Sequence, residues 1–148
     1  KFNICVDLDI TAPLRNINDI KQAVKKFIRH RPNNIISVCD AKKNPYFNMV
    51  EECKGEIKLI KQIKDSNKFS RSFASDFEVV RRQDAPKVYE MNASIYIFSR
   101  QSLIKKAKLL NKKTRLFVMP RFRSIDIDEI FDLNLVKLLI KDDKKLFR

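Results

Sequence analysis

The chain has 148 residues, of which 44% are hydrophobic, and its 32 Lys and Arg against 18 Asp and Glu give a formal net charge of +14. This length favours one domain with one core, and no apolar run reaches the roughly 20 residues that a membrane-spanning helix needs. The single histidine, His30, excludes Ser-His-Asp and multi-histidine metal sites built from this chain alone. Acid–base or metal chemistry would therefore depend on Asp, Glu, Lys, Arg and Tyr.

Charge and cysteine usage bear on the partner and the compartment, although composition alone does not separate a solvated basic surface from one that attracts an anionic substrate. The lysines are scattered along helical faces without interleaved aromatic residues, so we expect a solvated surface rather than a nucleic-acid interface, although attraction of an anionic substrate also fits. Cys5, Cys39 and Cys53 form no C-x-x-C pair and are expected to be reduced and buried. The first residues show no signal peptide, which predicts a cytoplasmic location.

The first forty residues predict a β-α-β unit. Residues 2–10 are rich in β-formers, and residues 34–41 form a second apolar run. Between them lies an amphipathic helix that Asn18 or Asp19 can cap and that ends before Pro32. Its apolar residues recur at helical spacing: Ile20, Val24, Phe27 and Ile28. A right-handed crossover of this kind predicts parallel strands.

The middle of the chain interrupts this pattern. Two β-leaning runs flank Lys54-Gly55, which contains the only glycine, and this spacing predicts a β-hairpin. We assign residues 46–75 to an inserted segment, within which 64–75 is a loop or short helix. The hairpin is either a dimerisation arm or a solvent-exposed flap.

The α/β pattern then resumes, with strands predicted at 92–98 and 114–119 and helices at 100–110 and 127–143. The last helix is expected to bury one apolar side, formed by Ile130, Phe131, Leu135, Leu138 and Leu139. The predicted fold is α/β, with one open, mostly parallel sheet surrounded by helices in a single domain, 1–148, that carries the hairpin insertion.

The stretch "SIDID" places Asp126 and Asp128 two residues apart. If it is extended, both carboxylates lie on one face with Cα atoms about 6.5–7 Å apart. Such a pair can hold a Mg²⁺ ion that also binds substrate phosphates. The alternative is structural, because Asp126-x-x-Glu129 resembles a helix capping box.

Two further polar clusters stand at predicted strand ends. Asp9 lies at the carboxyl end of the first strand, where open α/β sheets bind ligands. The segment 81–98 concentrates polar groups before a buried strand, among them Arg82, Gln83, Tyr89 and Asn92. These groups either solvate a loop or converge with Asp126 and Asp128 on one crevice.

Four motifs in this order and spacing resemble the CMP-sialic acid synthetase family, the acylneuraminate cytidylyltransferases: "LDITAPLR", "NPYFNMVE", "RRQDAPKVYEMNASIYIF" and "FVMPRFRSIDIDEIFDL". The resemblance runs from about Cys5 to Ile140. Asp9, "PYFN" and "YEMNASIYIF" are closer to the bacterial legionaminic acid branch. The resemblance implies a Rossmann-like sheet of the nucleotide-diphospho-sugar transferase type and a homodimer.

The resemblance also implies residue roles. Asp126 and Asp128 would be catalytic ligands of Mg²⁺. The acidic sugar would be bound by Asp9, Gln83, Tyr89 and Asn92, with Arg82 reaching across the dimer. The implied reaction transfers CMP from CTP to a nonulosonic acid and releases pyrophosphate. Pro13, Leu14 and Arg15 match a turn that we interpret as scaffold.

The sequence departs from the family in three respects. Glu90 stands where an arginine for the sugar carboxylate is usual, and Asp9 stands where Gln is usual in enzymes for N-acetylneuraminate. The Gly- and Lys/Arg-rich loop that holds the nucleotide has no counterpart, so the chain is expected to match the carboxyl-terminal two-thirds of the enzyme and to be inactive alone. Three alternatives remain open: a Mg²⁺-dependent nuclease, a basic nucleic-acid-binding module, and a remnant that retains only the dimer arm.

Overall fold

The computed structural model describes residues 2–61, 79 and 81–142. The chain forms two compact units, the first from residues 1–40 and 89–148 and the second from residues 41–88. Within the described residues the regular elements are β1 (Ile4–Leu8), α1 (Ile17–His30), β2 (Asn34–Asp40), β3 (Val50–Cys53), β4 (Glu56–Leu59), β5 (Tyr89–Ser99), α2 (Arg100–Ile104), β6 (Thr114–Val118) and α3 (Ile130–Asp142), with 3₁₀ turns at Arg82–Asp84 and Arg121–Arg123.

The first unit contains a four-stranded sheet in the order β1-β5-β2-β6. β5 runs antiparallel to both β1 and β2, and only β2 and β6 pair in parallel. The prediction of a mostly parallel sheet is therefore wrong. β1, β2 and β6 do share one direction, as the β-α-β pattern predicts, but the reversed β5 lies between β1 and β2. Its apolar pattern could not show this, because a buried strand looks the same in either direction.

β5 is irregular where it passes Ser37 of β2. The pairing shifts between Ile36 and Val38, so that the single residue Ser37 faces the four residues 92–95 of β5. Ala93 adopts a left-handed backbone conformation, with φ of 51°, and the Ile95 amide donates to Ser37 Oγ at 2.7 Å. This bulge, larger than the usual two residues against one, interrupts the ladder in the middle of the sheet.

The core of the first unit joins α1 to the sheet. Its buried members are Ala23, Phe27, Ile35, Ile95, Ile97, Phe117 and Met119. Full burial of one large apolar side chain stabilises a fold by about 1.5–3 kcal/mol, so this cluster contributes substantially to the unit's stability. The partly buried members come from β1 and α1: Ile4, Val6, Leu8, Ile20 and Val24.

α1 begins with a complete capping box. The Asp19 amide donates to Asn16 Oδ1 at 2.9 Å, and the Asn16 amide donates to Asp19 Oδ2 at 3.0 Å. The N-cap is therefore Asn16 rather than the predicted Asn18 or Asp19, because only this spacing satisfies both orphan amides. The helix ends at His30, before Pro32, as predicted.

The two later helices differ from their predictions. α2 ends at Ile104 rather than at residue 110, because Lys106 takes a left-handed conformation and the Ala107 amide closes back on the Ser102 carbonyl. In α3 only Val136 is buried, whereas Ile130, Phe131 and Leu138 are exposed. Of the predicted apolar side, Leu135 and Leu139 are half-buried, so the prediction is right for these two residues and wrong for the other three. None of the helices in the described part of the chain is long and apolar enough to cross a membrane.

The second unit contains the predicted hairpin. β3 and β4 pair antiparallel around Lys54 and Gly55, which both have positive φ, as a two-residue type I′ turn requires. The predicted loop at 64–75 lies outside the described residues. All three cysteines are free, but only Cys39 is buried and Cys53 in β3 is exposed, so the expectation of buried thiols is wrong for Cys53.

Candidate functional site

The loop after β1 is fixed around Asp9, which directly follows the strand. Asp9 Oδ1 accepts hydrogen bonds from the Thr11 amide at 3.1 Å and from Thr11 Oγ1 at 2.8 Å. These hydrogen bonds, with the amide contributing most, lower the pKa of Asp9 below its usual value. Asp9 is therefore an ionised, oriented carboxylate at the end of its strand.

Arg15 ties this loop to β5. Its Nη1 atom donates to the carbonyl oxygens of Asp9, of Ala12 at 2.7 Å and of Ser94 at 3.4 Å. The guanidinium thus satisfies backbone acceptors in the turn, while Leu14 is buried. This supports the interpretation of the Pro13-Leu14-Arg15 turn as scaffold.

Asn92 connects the bulge of β5 to the segment before α3. Its buried side-chain amide donates to Ser124 Oγ at 2.8 Å, and Ser124 Oγ donates to the Pro120 carbonyl at 2.9 Å. Both Asn92 donors face protein atoms, since Nδ2 also approaches Met119 Sδ at 3.6 Å. Asn92 therefore positions the segment 124–128.

The segment 124–128 has no regular secondary structure and lies against the loop after β1. The Ile127 amide donates to the Thr11 carbonyl at 2.9 Å. Asp126, one residue earlier, is half-buried, and its Oδ1 atom is buried without a hydrogen-bond partner among the described residues. Asp128 is exposed. The two carboxylates thus differ in environment, and Asp126 is the more constrained.

The helix cap at this point is not made by Asp126 and Glu129. Asp132 Oδ2 instead accepts from the amides of Asp128, at 3.2 Å, and Glu129, at 2.9 Å. An acidic residue in the first turn of α3 therefore satisfies these amides. The capping-box alternative for Asp126 is wrong, and its carboxylate needs another explanation.

Tyr96 on β5 is a neighbour of these carboxylates that the sequence reasoning missed. Burial raises the pKa of Tyr96, and the charges of Asp9, Asp7 and Asp126 raise it further. Tyr96 is paired with Asp7 across the β1–β5 ladder, and the charges of Asp9 and Asp126 act on the same hydroxyl. The signal was hidden because Tyr96 lies inside the apolar run "SIYIF".

Asp19 and Arg123 form an ion pair that the sequence reasoning also missed. Arg123 Nε and Nη2 donate to Asp19 Oδ2 and Oδ1, each at 2.9 Å. The side chains are only 5% and 17% exposed, respectively. No local pattern links them, because they are 104 residues apart in sequence.

Glu90 is paired with Arg121 at 3.3 Å, and Arg121 Nη1 also donates to the Asp40 carbonyl at 3.0 Å. Burial raises the pKa of the neighbouring Cys39 thiol, and the charge of Glu90 raises it further. The negative charge of Glu90, which departs from the family pattern, is thus partly offset within this chain.

The remaining predicted residues fall in different units. Arg82 and Gln83 are exposed in a 3₁₀ turn of the second unit, where Arg82 Nη2 donates to the Lys42 carbonyl at 2.9 Å. Tyr89, at the start of β5, is exposed in the first unit. Within the first unit, hydrogen bonds join the Asn92 side chain and the loop after Asp9 to the segment that carries Asp126.

The carboxylates of Asp126 and Asp128 are suitable ligands for a hard cation that takes its other ligands from water and substrate. Among the described residues there is no group of three or more His, Cys, Asp or Glu side chains that could hold a metal, which the nuclease alternative would require. Mg²⁺ usually takes one or two carboxylates and retains water and phosphate ligands, so a site of this kind would need no more protein carboxylates than Asp126 and Asp128. The buried, unpartnered Oδ1 of Asp126 fits this role, since an unpaired buried carboxylate oxygen is otherwise costly.

The chain is similar in sequence to several known proteins. No protein-family model matches the chain. It is 37% identical over 142 residues to the post-translational flagellin modification protein B of Campylobacter coli, covering 96% of this chain and 54% of that protein. It is 40% identical over 139 residues to the CMP-N,N'-diacetyllegionaminic acid synthase of Campylobacter jejuni, covering 94% of this chain and 53% of that protein.

A more distant relative is the N-acylneuraminate cytidylyltransferase of Streptococcus agalactiae, at 24% identity over 121 residues, or 82% of this chain and 26% of that protein. The chain thus spans about half the length of the curated Campylobacter relatives it matches, rather than two-thirds. The order of the four motifs agrees with these matches, which cover the carboxyl-terminal half of the Campylobacter relatives. The chain belongs to the CMP-sialic acid synthetase family.

Proposed function

We propose that this chain contributes the metal-binding and sugar-binding half of a cytidylyltransferase that transfers CMP from CTP to a nonulosonic acid of the legionaminic type. The observation that carries the proposal is the buried Oδ1 of Asp126, which has no hydrogen-bond partner among the described residues and lies in a segment that is hydrogen-bonded to the loop after Asp9, in a member of this family. The name of the Campylobacter jejuni relative favours a legionaminic rather than a neuraminic substrate, because this relative is more similar in sequence than the N-acylneuraminate cytidylyltransferase.

The proposed chemistry follows from the charges involved. The anomeric hydroxyl oxygen of the sugar bonds to the α-phosphorus of CTP while the bond to pyrophosphate breaks, and the hydroxyl proton passes to a base. Negative charge accumulates on the phosphate oxygens, so catalysis of such a step is mainly positioning and electrostatic stabilisation. Asp126 and Asp128 would hold Mg²⁺, which when bound offsets phosphate charge.

The other residues have orienting roles in this proposal. Asn92 holds Ser124 and thereby the segment that carries Asp126. Asp9 is a fixed carboxylate that can accept hydrogen bonds from sugar hydroxyl or amide groups. Gln83 and Tyr89 would contact the sugar, and Arg82 would do so from a second subunit of a homodimer. The hairpin β3–β4 would serve as the dimerisation arm.

The first experiment tests the chain alone. Incubation with CTP, Mg²⁺ and N,N'-diacetyllegionaminic acid is expected to release no pyrophosphate, because the glycine- and lysine-rich loop expected to hold the nucleotide is absent from this sequence. Turnover by the isolated chain would refute that part of the proposal.

The second experiment tests the residues. The chain replaces the matching carboxyl-terminal half of the Campylobacter jejuni synthase, and CMP-sugar formation by the chimera is measured. We expect activity that Asp126→Asn and Asp128→Asn each reduce by at least about a hundredfold, as loss of a charge-stabilising group in an active site does. Asp142→Asn, at an exposed position of α3, is the matched control and should leave activity unchanged. Full activity of a folded Asp126→Asn chimera would exclude the proposed role.

A further inference from the structure

One buried ion pair of the first unit fixes the positions of two side chains more than it stabilises the fold. Asp19 and Arg123 make two parallel hydrogen bonds of 2.9 Å in a largely buried environment. Desolvation of two charges offsets much of their attraction, so such a pair contributes little net stability compared with apolar residues of similar size. Its planar, two-bond contact does fix the direction and position of both side chains.

The pair stands at the start of the segment that carries Asp126. On one side, Asp19 is held by the capping box of α1, since its Oδ2 accepts from both the Asn16 amide and Arg123. On the other side, Arg123 ends a 3₁₀ turn and is followed directly by the segment 124–128. The rigid start of a helix is thus connected to a stretch without regular structure.

Other hydrogen bonds anchor this segment on both sides of Asp126. Before it, Ser124 is bonded to Asn92 and to the Pro120 carbonyl, and after it the Ile127 amide donates to the Thr11 carbonyl and the Asp128 amide to Asp132. Asp126 lies between these anchors, and its buried Oδ1 has no donor among the described residues. The position of its carboxylate must therefore come from the anchors on either side rather than from bonds of its own.

We propose that Asp19 and Arg123 are a positioning pair, which fixes the segment 124–128 so that the Asp126 carboxylate is presented in one place to a divalent cation. The cation part rests on the proposed function, whereas the ordering of the segment does not. The pair acts through the backbone of the segment and touches neither substrate nor metal.

The chain supplies a matched control in the same turn. Arg121 is also ion-paired, with Glu90 at 3.3 Å, but these side chains are 51% and 42% exposed. Arg121 donates a single bond to Glu90 and lies before, rather than next to, the segment. Loss of Arg121 removes the same charge from the same turn while leaving the buried pair intact.

The experiment compares Arg123→Gln with Arg121→Gln in the full chain, at a temperature where circular dichroism shows both to be folded. Hydrogen exchange of the Ile127 amide reports the position of the segment, and electron paramagnetic resonance of Mn²⁺ reports cation affinity. In Arg123→Gln we expect Ile127 exchange to rise and Mn²⁺ affinity to fall, each by about tenfold or more, as loss of an outer-shell partner does. In Arg121→Gln both should change by less than about twofold, because exposed pairs contribute little.

The amides of β2 should keep their wild-type protection in Arg123→Gln, which separates a local effect from general destabilisation. Unchanged Ile127 exchange in folded Arg123→Gln would overturn the proposal, whatever happens to the metal. If Arg123→Gln fails to fold, Arg123→Lys, which keeps the charge but not the two-bond geometry, is measured in its place with the same criteria. If Ile127 exchange rises while wild-type Mn²⁺ binding is absent or insensitive to Asp126→Asn, the positioning role stands and the metal part of the proposed function fails.

Discussion

Asn92 Nδ2 lies 2.8 Å from Ser124 Oγ and donates to it, which joins the bulge of β5 to the segment that carries Asp126. Because Asn92 is 4% exposed, its replacement by Ala leaves Ser124 without this donor and opens a small cavity. We expect Asn92→Ala to lower the free energy of unfolding by about 1–3 kcal/mol. Urea unfolding would measure this. Asn134→Ala, at an exposed site in α3, should change stability by less than about 0.5 kcal/mol. Equal effects of the two substitutions would show that the bond to Ser124 contributes nothing.

Ala93 occupies a backbone conformation that favours glycine. Its φ of 51° brings Cβ close to the backbone carbonyl, at a cost of about 1–2 kcal/mol. Ala93→Gly removes this strain but increases the freedom of the unfolded chain, so we expect a net stabilisation of up to about 1 kcal/mol. The contrasting variant is Ala23→Gly in α1, which should destabilise by about 1 kcal/mol or more. Chemical denaturation of both variants provides the test, and a destabilised Ala93→Gly would show that the methyl group packs usefully.

The titration of Tyr96 reports the charges of the carboxylates around it. Burial and the charges of Asp9, Asp7 and Asp126 raise the pKa of Tyr96 above 10. Because the folded state then holds the proton more tightly than the unfolded state, the associated stability is present below pH 10. It is lost as the pH rises from 10 through the folded pKa.

Phenolate absorbance near 295 nm measures this titration, with Tyr96→Phe used to isolate the Tyr96 component. Asp9→Asn removes one of the neighbouring charges and should lower the pKa of Tyr96, whereas Asp142→Asn should not move it. A Tyr96 titration that is insensitive to Asp9→Asn would mean that Asp9 and Tyr96 are not neighbours in solution.

The three thiols should react at different rates. Cys53 is exposed in β3, whereas Cys39 is buried, and burial raises its pKa, so that less thiolate is available. At pH 8 we expect a disulfide reagent such as DTNB to label Cys53 at least about tenfold faster than Cys39 in the native chain. Cys53→Ser should remove the fast phase. A fast phase that survives this substitution would assign it to Cys5 or Cys39 instead.

Local patterns predicted most elements of the fold but not the direction of its central strand. The i, i+4 spacing of Ile20 and Val24 and the run 34–41 were sufficient for α1 and β2, and Lys54-Gly55 was sufficient for the hairpin. The direction of β5 was not accessible, because it depends on how the chain returns from residues 41–88. The length of α2 was missed because the left-handed turn at Lys106 has no glycine to mark it.

For the site, composition and spacing found the carboxylates, and tertiary structure determined their surroundings. Asp9 stood out because it lies at the carboxyl end of the first predicted strand, and Asp126 because it is two residues from Asp128 in an alternating stretch. The amides of Asp128 and Glu129 are bonded by Asp132 rather than by Asp126. The spacing of acidic residues in the sequence could not show which of the two carboxylates would accept these bonds. The pairing of Arg123 with Asp19 could not be predicted from the sequence, because a contact between residues 104 positions apart produces no local sequence pattern.

The bulge in β5 restricts how many residues this strand can gain or lose. Side chains alternate along a strand, and β5 has three residues more than β2 in the interval opposite Ser37, an odd number. Ile95 and Ile97 are therefore buried in the core, whereas Tyr89 and Met91, which have the same odd parity, are exposed. Loss of one residue between 92 and 95 would exchange the two faces of half the strand, whereas loss of two would preserve them. Length variation in this part of the chain should accordingly occur in pairs.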